Sequence, residues 1–200
     1  MPAIEPAQTA AKVTHSVWTT SIRFTLVTAL LLGLVYPLAI TGLAGLLFPR
    51  QANGSLILKD GTVIGSELLA QSFTSDRYFH PRPSVAGSGY DATASGGSNL
   101  AQSNKALVDR IQAAIDKLSK ENPGQPVPID LVTTSASGLD PDITPDAAYF
   151  QISRIAKARG IGEDRLRTLV EEHTAGRELG LLGEPRVNVL MLNLDLDKMK

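Results

Sequence analysis

From Phe24 to Phe48 the chain reads FTLVTALLLGLVYPLAITGLAGLLF, 25 residues without a charge. As an α-helix this stretch is about 38 Å long, enough to cross a roughly 30 Å hydrocarbon core with some tilt. A backbone in hydrocarbon has to satisfy its own polar groups, so a helix is what such a run must form. A cleaved secretory signal is the rival reading, with Gly42 and Ala44 as small residues near a cleavage point. Secretory apolar regions usually span about 7 to 15 residues; this one is longer and follows a long leader, so a retained anchor is expected. The expected organisation is a leader at 1–23, a transmembrane helix at 24–48 and a folded domain at 49–200.

Thr25, Ala29, Gly33, Pro37, Thr41 and Gly45 recur at four-residue intervals in the apolar segment. Lipid gives helices no hydrophobic reason to associate, and close approach over small residues is how they pair. The row Ala29, Gly33, Pro37, Thr41 and Gly45 therefore predicts a contact with a partner helix. Pro37 removes a backbone donor and crowds the preceding turn, which predicts a kink. Lys12 and Arg23 precede the segment and Arg50 follows it, a bias that places the N-terminus in the cytoplasm and residues 49–200 outside it.

The remainder has the makings of a packed α+β domain. The whole chain is 43% hydrophobic and 20% charged, and its 19 basic and 20 acidic residues give a net charge of −1. That balance argues against a nucleic-acid binder, which needs a basic footprint. With no cysteine, disulfides, thiolate nucleophiles and cysteine-ligated metals are excluded. Residues 53–65 read as a hairpin turning at Asp60-Gly61, and Asn53-Gly54-Ser55 also matches the short glycosylation pattern. Ser66 can cap a short helix through Leu68, Leu69 and Phe73. Leu107, Ile111, Ile115 and Leu118 mark a helix that starts near Leu100 and runs to about Lys120. PVPIDLV reads as a short strand. Thr144 and Pro145 open a helix with Ala148, Ile152 and Ile155 inside and Gly160 at its end. Leu166, Leu169, Val170 and His173 define another, and VNVLMLNLDL reads as a closing strand with a bulge near Met191.

Several blocks resemble one family in order: YPL (36–38), QANGSLI (51–57), YFHPRPS (78–84), SGGSNLA (95–101), LVTTSASGLDPDIT (131–144), RIAKAR (154–159) and VNVLMLNLDLDK (187–198). Together they resemble the C subunit of the Kdp-type high-affinity potassium-transporting ATPase. The resemblance implies an accessory, non-catalytic subunit of a bacterial inner-membrane complex. Its partners would be a channel-like potassium-translocating subunit, a P-type ATPase subunit and a small stabilising subunit. The chain has no D-K-T-G phosphorylation motif, so the chemistry would reside in a partner. The family is described as a catalytic chaperone that raises the pump subunit's ATP affinity. The resemblance puts the nucleotide contact on Gln151 with Ser135, Ser137 and Gly138; ATP would otherwise enter only through the partner pump subunit.

Other readings compete at the same residues. Gly96, Gly97, Ser98 and Asn99 could hold phosphate at a helix N-terminus, but no Walker or dinucleotide spacing accompanies them, and a helix cap suffices. If the domain lies outside the cytoplasm, Gln151 cannot share a cytoplasmic nucleotide, and a solvated helix position is its plain alternative. Tyr78, Phe79 and Arg82 are candidates for a protein contact, because aromatics and arginine dominate interfaces; burial in the core competes on even terms. Asp140, Asp142 and Asp146 are expected as turn and cap residues, not cation ligands. His80 and His173 have no ligand or triad spacing. No catalytic residue and no metal centre are expected.

Overall fold

The computed structural model describes residues 6–199; the first five leader residues and Lys200 lie outside the described residues. The chain divides into two compact units between Gly54 and Ser55.

The first unit is helical. Helix α1 (Pro6–Leu30) runs through a π-helical turn (Leu31–Val35) into α2 (Tyr36–Leu47), and a short α3 (Pro49–Ala52) follows. Residues 16–47 form a stretch of 32 residues, reaching a mean hydropathy of 2.1 in its most apolar part, long and apolar enough to cross a membrane. The helix thus begins upstream of Phe24. At Pro37 the structure answers the expected kink with a widened turn. Pro37 cannot donate to Gly33 and its ring would press on that carbonyl, so the preceding turn opens until Tyr36 N–H bonds to Leu31 O.

The second unit is α+β. Strands β1 (Leu56–Lys59) and β2 (Thr62–Ser66) form the expected hairpin, with positive φ at Asp60 and Gly61 and a register shift between Ile57 and Leu58. Helix α4 (Lys105–Leu118) follows a long irregular stretch. A 3-10 turn (Ile129–Leu131), β3 (Asp142–Ile143), α5 (Pro145–Arg159), α6 (Glu163–Glu172), β4 (Thr174–Ala175), β5 (Arg186–Asn188) and α7 (Val189–Leu196) complete it. Strand β5 lies between β3 and β4, antiparallel to both. Helix α5 is capped as its sequence dictates: Thr144 Oγ1 accepts from Ala147 N–H, Pro145 takes the first position, and Gly160 closes it at φ 69°.

Four expectations are corrected. Residues 66–73 form no helix, because Ser66 Oγ accepts from Leu68 N–H in a tight turn that goes no further. Helix α4 starts at Lys105 under Asn104, whose Oδ1 accepts from Ala106 N–H, and not at Leu100 under Ser98 or Asn99. PVPIDLV holds a 3-10 turn instead of a strand; buried Asp130 accepts from Thr144 N–H at 2.8 Å, tying that turn to the start of α5. VNVLMLNLDL is a strand only as far as Asn188. Asn188 Oδ1 then caps Met191 N–H, and Val189, Leu192, Asn193 and Leu196 point inward at helical spacing.

The core gathers around α5. Ile152 and Ile155 meet Leu166 and Val170 of α6, Val187 of β5, Leu192 and Leu196 of α7, and Phe79 from the irregular stretch. Phe79 is fully buried on a segment that belongs to no sheet, so its backbone needs partners from elsewhere. Two side-chain amides supply them. Asn193 accepts from Phe79 N–H and donates to Phe79 O, both at 2.9 Å. Gln151 accepts from His80 N–H at 2.7 Å and donates to His80 O at 3.1 Å.

Replacing Gln151 or Asn193 by alanine strands a buried N–H and C=O pair, so each should cost about 2 to 4 kcal/mol. Urea unfolding of the full chain in detergent measures it; a cost within the range of a surface substitution, about 0.5 kcal/mol, would contradict the arrangement.

Candidate functional site

The polar blocks of the sequence converge beside the amide-held segment. Tyr78, next to Phe79, packs tilted against Phe73 at 5.5 Å between ring centres, lies under the Arg159 guanidinium at 4.8 Å, and donates to Asp197 at 3.1 Å. Arg154 donates to Asp76 O (2.8 Å) and Tyr78 O (3.1 Å), and Arg159 Nε donates to Arg77 O (2.6 Å). Helix α5 therefore fastens residues 76–80 with three side chains, Gln151, Arg154 and Arg159. Of the residues expected to meet a partner, Phe79 is core, Tyr78 is half-buried, and Arg82 is held inside the domain.

Arg82 turns away from the core and pairs with Asp140 at 3.2 Å, with weaker contacts to Thr133 and Thr134. Two residues on, Ser84 Oγ donates to Gly138 O at 2.6 Å and accepts from Ala86 and Tyr90 N–H. Tyr90 Oη returns to Arg82 O at 2.9 Å. These bonds fold residues 82–90 back onto the SASG loop.

The two glycine-bearing loops lie directly on each other. Gly96 N–H donates to Ser137 O at 2.8 Å, and Ser95 Oγ donates to the same carbonyl at 3.0 Å. A Cβ on Gly97 would come within 3.0 Å of Ala136 O, and one on Gly138 within 2.7 Å of Gly96 O. Gly138 also needs its φ of +68°. Gly96 and Gly97 thus neither cap a helix nor stand at a helix N-terminus; Gly97 and Gly138 let backbone meet backbone in a clasp, which Gly96 joins through its N–H.

An open cleft of about 600 Å³ borders the clasp, lined by Arg82, Ser95, Ser135, Ser137 and Asp140 with Leu68 and Leu69 at its rim. Gln151 is not in it. That side chain lines a smaller cavity of about 240 Å³ with His80, Tyr90, Glu121 and Arg154. The residues that the resemblance groups around a nucleotide therefore sit in different cavities. Gln151 is 2% exposed, the reverse of a solvated position. Its oxygen accepts from His80 N–H and Arg154, and its nitrogen donates to His80 O and Ala147 O, which fills every position of the amide.

The aspartates divide their work. Asp140 faces Arg82 and accepts from Asp142 N–H, Asp142 faces Arg186 at 3.3 Å, and Asp146 lies in the first turn of α5. Burial, then the Asp140 charge, pushes the Asp142 carboxyl above its ordinary range. His173 meets Asp195 at 2.9 Å, joining the C-terminal end of α6 to α7. His80 is half-buried; its Nε2 faces Ser75 O at 3.0 Å, while burial and then the Arg154 charge hold its pKa below the usual 6.5. Glu121 and Asp76 face it as well and oppose that shift. Sequence reasoning missed Asn193, Ser84 and Tyr90. An asparagine in an otherwise apolar run was the one available signal for the first.

Two measurements check the site. Gly138→Ala should destabilise the chain by about 2 kcal/mol or more through positive φ and the clash with Gly96 O, whereas Gly96→Ala, with open space around it, should be near neutral. Thermal unfolding of both variants reads this, and equal effects would remove the clasp. The second concerns acid. Because the His80 pKa is lowered on folding, the unfolded chain binds the proton first, so stability should fall as pH drops below about 6.5. His80→Gln should flatten that fall in unfolding curves taken between about pH 7.5 and pH 5.

Comparison with known proteins fixes the family. The profile described as "KdpC: K+-transporting ATPase, c chain" matches residues 18–198. The chain is 57% identical to the potassium-transporting ATPase KdpC subunit of Rhodopseudomonas palustris (strain BisB18) over 192 residues, covering 90% of this chain and 96% of that one. It is 58% identical to the KdpC subunit of Methylobacterium nodulans over 182 residues (85% and 90%). The Acidobacterium capsulatum KdpC subunit is 57% identical over 182 residues (90% and 97%). With an apolar helix followed by an α+β unit and a match across nearly its whole length, the chain belongs to the KdpC family, the c chains of K+-transporting ATPases.

Proposed function

We propose that this chain is the single-span accessory subunit of an ATP-driven potassium uptake complex in the bacterial inner membrane. It assembles with a channel-like potassium-translocating subunit, a P-type ATPase subunit and a small stabilising subunit, and the phosphorylation chemistry belongs to the ATPase partner. The N-terminus faces the cytoplasm and the α+β unit lies on the opposite side. The near-full-length family match carries this reading, together with the one long apolar helix among the described residues. The excess of Lys12 and Arg23 over Arg50 supports the orientation.

The chaperone effect on the pump's ATP affinity acts through assembly and not through a nucleotide held by this chain. Gln151 has no free polar position, and Ser135, Ser137 and Gly138 belong to the clasp and the cleft beside it. On this reading saturating ATP leaves the melting temperature of the isolated full chain unchanged, since a ligand that binds only the folded state must raise it. A rise that disappears in Gly97→Val would restore direct nucleotide contact.

The anchor meets a partner helix along its small-residue row. Gly33 and Gly45 have open space where a Cβ would stand, so leucine at either position leaves this chain's own helix undisturbed. Gly33→Leu and Gly45→Leu should each lower co-purification with the channel-like subunit; retention of both variants at the wild-type level would assign the row to lipid. A tag after Lys200 should be labelled from outside intact cells, and labelling only after permeabilisation would invert the orientation.

A further inference from the structure

The hairpin of β1 and β2 is apolar on both of its faces. Its inward face packs on the domain: a Cβ on Gly65 would come within 2.9 Å of Leu190 Cδ2, and Ile57, the register partner of Gly65, is half-buried. Gln71 Nε2 fixes the ribbon there by donating to Ile64 O at 2.9 Å. On the opposite face Leu58 pairs with Val63, and Leu56, two residues along the same strand, shares that side. Leu58, Val63 and Leu56 are 62%, 52% and 43% exposed. An antiparallel ribbon packed on one side and wet on the other carries polar residues outward. Here the outward side is aliphatic.

We infer that this outward face lies in the headgroup layer of the bilayer that the apolar helix crosses. The inference rests on the membrane anchor proposed above. Chain length and composition select the occupant. Only residues 49–55 separate Phe48 from β1, and four of them form α3. At about 1.5 Å per helical residue and at most about 3.6 Å per extended one, Leu56 begins within about 20 Å of the end of the apolar segment. Positive φ at Gly54 (84°) and Ser55 (48°), with Gly54 N–H donating to Gln51 O at 3.0 Å, turns the chain here, so the real span is shorter. Lipid headgroups extend about 5 to 8 Å beyond the hydrocarbon and are within the hairpin's reach through the anchor alone. Leucine and valine are under-represented among the residues that hold protein interfaces, where tryptophan, tyrosine and arginine dominate. Residues 56–66 contain one cation, Lys59, and one anion, Asp60, so an anionic headgroup layer does not repel them. A second copy stacked on the same face would bury three aliphatic side chains from each chain, far short of the roughly 1,600 Å² of a stable interface.

The chain has no cysteine, so a single one can be labelled in the full-length protein. Thr62→Cys, at the hairpin tip, carries an environment-sensitive fluorophore, and the chain is reconstituted in vesicles of phosphatidylethanolamine and phosphatidylglycerol. Nitroxide placed at the headgroup end of the lipid acyl chains should quench the label, and iodide in the water should quench it weakly. In the background Leu56→Ser, Leu58→Ser, Val63→Ser the lipid quenching should fall at least about threefold, because the apolar area that holds the hairpin down is gone. Thermal unfolding of that variant should match wild type, since all three side chains face outward; where it melts lower, Leu58→Ser alone is read in the same way. Lipid quenching that is absent from the wild-type hairpin, or unchanged by the serines, overturns the inference. So does lipid quenching that disappears when the partner subunits are added, which would assign the face to a protein. A label at Leu34→Cys, inside the apolar helix, separates the two readings: if a nitroxide at the bilayer centre leaves it unquenched, the anchor itself fails.

Discussion

The α+β unit depends on how it hydrogen-bonds one stretch of extended backbone that has no strand beside it. Phe79 supplies a fully buried aromatic to the core, yet a sheet does not carry it there. A buried amide group without a partner costs as much as several good contacts gain. The chain meets this with the one side-chain group that mimics a neighbouring strand: a carboxamide, donor and acceptor at once. Asn193 serves Phe79 and Gln151 serves His80. The two amides come from different helices, so the docked segment ties α5 to α7. The last helix of the chain and a loop more than a hundred residues earlier are thereby made one cooperative piece.

Much of the family's sequence pattern acquires a reason from this segment. YFHPRPS is the held backbone, and RIAKAR supplies Arg154 and Arg159, which bond to the carbonyls of residues 76 to 78. SGGS and SASG are two backbones in contact, and Ser84, the last residue of YFHPRPS, is stitched to SASG at Gly138 O. These blocks read as chemistry when taken one at a time, since glycine and serine beside a helix suggest phosphate. Their observed work is close packing of main chain.

Elements with a local signature were legible in the sequence. The hairpin at Asp60-Gly61 and helix α5 each carry turn or cap residues at the positions their backbone requires, and the apolar segment could be nothing but a helix. Elements decided by tertiary partners were not. PVPIDLV has strand-like composition, but Asp130 bonds into the start of α5 and curls it into a turn. VNVLMLNLDL alternates well enough to pass for a strand, since a short apolar run cannot be told from a buried helix by period alone. Asn188 is the switch, read only when its cap is seen. SGGSN lies several residues before the true start of α4, and Asn104 was overlooked because the glycine pair was the louder signal. Gln151 looked like a solvated position because a glutamine on a helix usually is one; burial came from a segment that folds over it from far away in sequence.

The π-turn before Pro37 bears on the geometry of the membrane helix as a whole. In a regular α-helix a row of side chains four apart overruns each turn by about 40°, so the row winds gradually around the cylinder. A wider turn takes more residues to come round, and over Leu31–Val35 it winds the row back the other way. Placed midway along the small-residue row, the widened turn works as a phase corrector. It holds Ala29 and Thr41 nearer to one generatrix of the helix than an uninterrupted α-helix would, so a straight neighbour could follow the groove without coiling around it.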